Sequence, residues 1–195
     1  WLPIEFGWLR TALFSPGLRL HDVLGQLLGV NVALAAFVLW RRLPGIGYRY
    51  EWHRGLLRAA GSNFLLFTAI AIPLGLSIGF IHYHYSYSAA KAFQVPLVLL
   101  AFFLAALPEE LLFRGLIQNW LELRTRNRRT SLLLAALIFG AAHLNNGPPF
   151  PNWSYVLLAS LAGVFYGRAW QRTGSLVASA LTHALVNTTW WLFFR

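Results

Sequence analysis

The chain has 195 residues, of which 57% are hydrophobic and only 11% charged, against about 25% charged in a soluble domain, so an ordinary soluble fold is excluded and a bilayer is indicated. The net charge of +10 does not indicate nucleic acid, because the arginines gather in short loops between apolar runs, as the positive-inside rule expects. No cysteine is present, which removes disulfides, a thiolate nucleophile and a thiolate metal site. The sequence opens at Trp1 and holds no Met, so the displayed N-terminus is expected to lie inside a longer translated protein, with any targeting segment out of view.

Residues 1–21 mix Trp1, Ile4, Phe6 and Trp8 with Arg10, Pro16, Arg19 and His21, the pattern of an interfacial or partial segment. The first full span is Val23–Trp40, stopped by Arg41-Arg42. The loop to Arg58 carries Arg41, Arg42, Arg49, Arg54 and Arg58 and is expected to be cytoplasmic. Asn63–Ile81 is the second span, with a kink expected at Pro73. The stretch His82-Tyr83-His84-Tyr85-Ser86-Tyr87 reads as an aromatic loop at the headgroup level outside, rather than a two-histidine metal site. Ala92 to Glu122 is roughly 45 Å of helix, longer than a bilayer core, and must tilt, bend or break near Pro108. Arg124, Arg126, Arg128 and Arg129 return the chain to the cytoplasm. Ser131–Leu144 is the fourth span, Asn145–Asn152 an uncharged outside turn, and Trp153–Tyr166 the fifth, with Gly163 and Gly167 spaced for close helix contact. Arg168 and Arg172 mark the inside again, and Leu176–Phe194 is the sixth span. The fold class expected is all-α, a polytopic transmembrane helical bundle of about six spans plus the N-terminal segment. It forms one integral-membrane domain over 1–195, with variable N-terminal spans over 1–91 and the core over 92–195. Neither repeats nor the alternation of a β-barrel are present.

Six acidic residues occur in the chain, and two stand together at Glu109-Glu110, directly after an apolar run. An ionisable group at membrane depth is a functional-site hypothesis by default. Glu110, Arg114, Gln118 and Glu122 fall at i+4 steps on one stripe, which places Glu110 and Arg114 to pair. Glu109 lies about 100° round the helix and can point elsewhere. This suggests Glu110–Arg114 as a structural pair and Glu109 as the working carboxylate, against the alternative of a salt-bridged helix contact without chemistry. His143 follows Phe139 by one turn. His183 and Asn187 are also one turn apart, with Ser179 on the same stripe, and such a pair can equally be interhelical glue. Measured from the nearest cytoplasmic loop, Glu109, His143 and His183 all sit roughly 14–20 Å deep at 1.5 Å per residue. One polar layer on three helices favours a single cavity. A carboxylate and a histidine there can activate water, and a His and an Asn can donate to an oxyanion, an inventory for amide hydrolysis.

Glu109-Glu110-x-x-x-Arg114, Phe139-x-x-x-His143 and His183-x-x-x-Asn187, in that order on apolar helices, resemble the CPBP intramembrane proteases, the CAAX prenyl protease and bacteriocin-processing family also called Abi. Arg172-Thr173-Gly174-Ser175-Leu176 before the last span is similar to that family too. The resemblance covers about residues 105–190. It implies that Glu109 activates water with His143, that His183 and Asn187 stabilise the oxyanion, and that Glu110 and Arg114 support the site. The implied substrate is a peptide or protein at or in the bilayer, such as a prenylated peptide, a bacteriocin leader or a C-terminal sorting tag, and the implied place is a bacterial inner membrane. The family has been described both as metal-dependent and as glutamate-dependent. No cofactor is expected here, since Asn is a poor zinc ligand, and zinc is the alternative. A different class of function, a non-catalytic scaffold or immunity-type protein binding a partner segment in the same cavity, is the competing reading.

Overall fold

The computed structural model describes residues 28, 29, 32, 36, 49–85 and 89–194. The chain divides into two compact units, Trp1–Ile46 and Gly47–Arg195. The expected interfacial segment over 1–21 and the span Val23–Trp40 lie, four residues apart, outside the described residues, as do Ser86 and Tyr87. The second unit is all-helical among the described residues, save for one isolated bridge between Tyr83 and Phe194. Its helices are α1 (Arg54–Ser77), α2 (Ala89–Glu110), a π-helical segment (Leu111–Gln118), α3 (Asn119–Thr125), α4 (Arg128–Ala141), α5 (Trp153–Thr173) and α6 (Leu176–Phe193).

The stretch Arg54–Ser77 and the continuous stretch Lys91–Thr125 are long and apolar enough to cross a membrane by length and composition. The second does not break at Pro108. It continues as a π-helix three residues later, where the Asn119 N–H returns to the Arg114 carbonyl five residues back. Pro108 donates no N–H and crowds the carbonyl one turn before it, and a π-bulge is a common device where a helix absorbs such a disturbance at a functional site. The wider turns keep Glu110, Arg114 and Gln118 all fully buried, so the i+4 stripe survives the change of pitch.

Side-chain caps start the later helices. Asn127 Oδ1 accepts from the Arg129 and Thr130 N–H groups, at 2.9 and 3.1 Å. Asn152 Oδ1 accepts from Tyr155, and Ser175 Oγ from Val177. Each satisfies an N–H that has no partner within the helix. Gly174, at φ +69°, ends α5 in the left-handed region, where a side chain would be strained.

The arginine-rich segments meet at one end of this unit. Arg128 Nε lies 3.2 Å from Glu122, Arg128 Nη2 donates to the Gln171 carbonyl at 2.6 Å, and the Leu176 N–H donates to the Arg49 carbonyl at 2.8 Å. The His-Tyr loop docks elsewhere, with the His84 N–H donating to the Phe193 carbonyl at 2.7 Å and Tyr85 stacked on Phe193.

Helices α4 and α5 pack through small residues. A Cβ on Gly163 would lie 2.9 Å from Ala136 Cα, and one on Gly140 would lie 2.6 Å from the Val156 carbonyl. Gly140→Ala is therefore expected to destabilise the fold by about 1–3 kcal/mol, the range for overpacking. Gly61→Ala, where nothing lies within 4 Å, is expected to be neutral or slightly stabilising. Thermal unfolding in detergent compares the two, and equal midpoints would show that the helices can part without cost. The buried core includes Phe67, Phe113, Phe139, Phe165 and Tyr166, and Phe67, Phe139 and Tyr166 of this cluster also line the cavity of the site.

Candidate active site

Glu110 is the hub. It is fully buried, and Arg114 Nε lies 3.0 Å from its Oε2, close enough for an ion pair although the N–H is not aligned as a hydrogen bond. The Ser179 hydroxyl donates to the same oxygen. Oε1 faces His183 Nδ1 at 2.9 Å. A carboxylate held against a guanidinium is an acceptor only, so His183 carries a proton on Nδ1, and Nε2 is left for other work. The Arg114 guanidinium lies 4.8 Å above the Phe139 ring and 5.8 Å from that of Tyr166. These π faces take the place of water around a buried cation.

His143 is set by a helix end. The sequence suggests a span reaching Leu144, but α4 stops at Ala141, and His143 lies just beyond it in a turn. The His143 N–H bonds the Gly140 carbonyl at 2.9 Å, which leaves the Phe139 carbonyl without its usual partner. The ring fills that role, with Nδ1 2.7 Å from the Phe139 oxygen. A carbonyl can only accept, so Nδ1 carries the proton and Nε2 holds a lone pair. The orphan carbonyl of a helix terminus thus selects the tautomer of the histidine.

His143, His183 and Asn187 line one cavity of about 420 Å³, with Phe139, Tyr155 and Tyr166 among its other walls. Phe139 touches both imidazoles, with ring centroids 4.6 Å from His143 and 5.9 Å from His183. Two of the three motif elements thus share the cavity directly, and Glu110 joins it through His183. Glu109 is half-buried at the end of α2. It is not a lining residue of this cavity, and its charge lies within electrostatic range of Tyr166, which is. Helical spacing does not reveal the Glu110–His183 contact, nor Tyr155 and Tyr166 as walls. Ser179 had a signal, one turn before His183 on the same stripe. The tyrosines had a weaker one, a separation of eleven residues, three turns of one helix.

A family model described as Type II CAAX prenyl endopeptidase Rce1-like matches residues 89–189. Neither curated proteins nor solved structures gave a significant match. The matched stretch is more than half of the chain. It starts with the helix that carries Glu109 and Glu110 and ends just past Asn187, so every residue of the site falls inside it. The chain therefore belongs to the Rce1-like type II CAAX prenyl endopeptidases, a family of membrane-embedded proteases that act on membrane-associated peptides.

Proposed function

We propose that this protease hydrolyses a lipidated or membrane-associated peptide with water activated by Glu109 and His143. The observation that carries this reading is the full engagement of Glu110. Its two oxygens face Arg114, Ser179 and His183, and a carboxylate so held has little capacity to orient or deprotonate water. Glu109 is then the remaining acid at this depth. His143 Nε2 holds a lone pair with which to position the same water. Water attacks the scissile carbonyl carbon, and Glu109 takes a proton from it. The Asn187 amide and His183, protonated on both ring nitrogens with its Nδ1–H on Glu110, donate to the oxyanion through the amide N–H and Nε2–H. Glu109 then passes the proton to the leaving nitrogen as the C–N bond breaks.

The donor set supports catalysis without a metal. Among the described residues no group of three or more His, Asp or Glu stands where it could hold an ion, and Asn187 is a poor ligand for zinc. Activity is expected to survive exhaustive chelation, and loss on chelation restored by zinc would overturn this choice. We further place the chain as a multi-pass protein of a bacterial inner membrane, one integral-membrane domain whose residues 92–195 form the catalytic core and whose arginine-rich end faces the cytoplasm.

The test of the reading is cleavage in liposomes, read by mass spectrometry on pooled prenylated, leader-like and transmembrane peptides. Products from at least one class are expected. Folded protein that cuts none of them would favour a binding role for the cavity.

A further inference from the structure

Two aromatic–imidazole stacks stand on one face of α5. Tyr155 lies nearly parallel to His143, with centroids 5.2 Å apart and planes inclined by 19°. Tyr166 lies nearly parallel to His183, at 4.5 Å and 18°. The two tyrosines are separated by three helical turns plus about 20°, so they share a stripe. Ala159 and Ala162 stand between them, and all four line the cavity. Helix α5 carries none of the three motifs, so the motifs assign it no part in the chemistry.

Each histidine is tied at Nδ1, one to a backbone carbonyl and one to Glu110. A single hydrogen bond sets the tautomer and leaves the ring able to roll about it. A fixed aromatic face against the ring removes that freedom. Tyr166 is itself fixed. It is buried and packs against Phe67 and Phe139 at 6.4 and 5.9 Å. Gly163 and Gly140 hold α5 against α4 at near-backbone contact, and α4 leads directly to His143. One helix face therefore references both imidazoles.

We propose that Tyr155 and Tyr166 are positioning residues: their rings fix the planes and the spacing of His143 and His183, and Ala159 and Ala162 keep the gap between them open for the scissile segment. This rests on the reading that the two histidines serve hydrolysis. Catalysis is sensitive to displacements of about 1 Å, so loss of either ring should lower turnover without weakening substrate capture.

The experiment compares Tyr155→Phe, Tyr155→Leu, Tyr166→Phe and Tyr166→Leu in the full chain. Cleavage of a farnesylated CAAX peptide is measured in liposomes, well below each variant's unfolding temperature, and imidazole proton shifts are measured by NMR in detergent. The phenylalanine variants should keep kcat near the parent value. The leucine variants should lose about tenfold or more in kcat, keep their KM, and lose the ring-current shift on the stacked histidine alone. Leucine variants with unchanged kcat, or phenylalanine variants as damaged as leucine ones, would overturn the proposal. A parent chain that leaves the peptide uncut counts against the hydrolytic reading. The NMR shifts then decide the stacking on their own: shifts unchanged by leucine overturn it, and selective loss supports it.

Discussion

Glu109→Gln is expected to abolish peptide cleavage and leave the fold intact. Glutamine matches glutamate in size, and position 109 is half-buried at the end of α2. The substitution removes the ability to accept and return a proton. General acid–base catalysis contributes roughly 10²–10⁴-fold, so turnover should fall by about 10³-fold. Parent and variant would be compared on the pooled peptides in liposomes by mass spectrometry, with thermal unfolding as the control for fold. Full cleavage by a folded Glu109→Gln protein would remove this carboxylate from the mechanism and return attention to Glu110, two oxygens of which are already committed.

Arg114→Ala should have the largest effect on stability. Arg114 and Glu110 are both fully excluded from solvent. Removing one partner of a buried pair leaves an uncompensated charge, a loss of about 3–5 kcal/mol. The guanidinium also lies against Phe139 and Tyr166, so its removal leaves a void beside those two rings. Poor yield and a lowered unfolding midpoint in detergent are the expected readouts. Arg114→Lys should recover only part of the loss, because a point charge cannot reproduce the planar guanidinium over two rings. A well-expressed Arg114→Ala protein with an unchanged midpoint and no activity would instead give the arginine a chemical role.

The sequence by itself determined the helical, membrane-embedded class, because 11% charge in a chain of long apolar runs leaves few alternatives. It also determined the pairing of Glu110 with Arg114, since a one-turn separation is local geometry that survives even a change to π-helical pitch. The three ordered motifs carried the family. Gly163 announced a close helix contact, but the partner, α4 through Ala136, is a tertiary fact.

Only the tertiary structure decided how the polar layer is wired. His183 reaches Glu110 across 73 residues of sequence, and no periodicity encodes which rotamers meet across a helix interface. Nor does spacing show where a helix ends by a single turn. The sequence placed His143 inside a span, whereas its role follows from α4 stopping short and exposing the Phe139 carbonyl. The tyrosines of α5 look like ordinary core or interfacial aromatics in one dimension. Their meaning comes from parallel contact with two histidines on other elements. Local hydrogen bonding and hydrophobic period are written along the chain, while the orientation of a side chain in a cavity is set by everything packed around it.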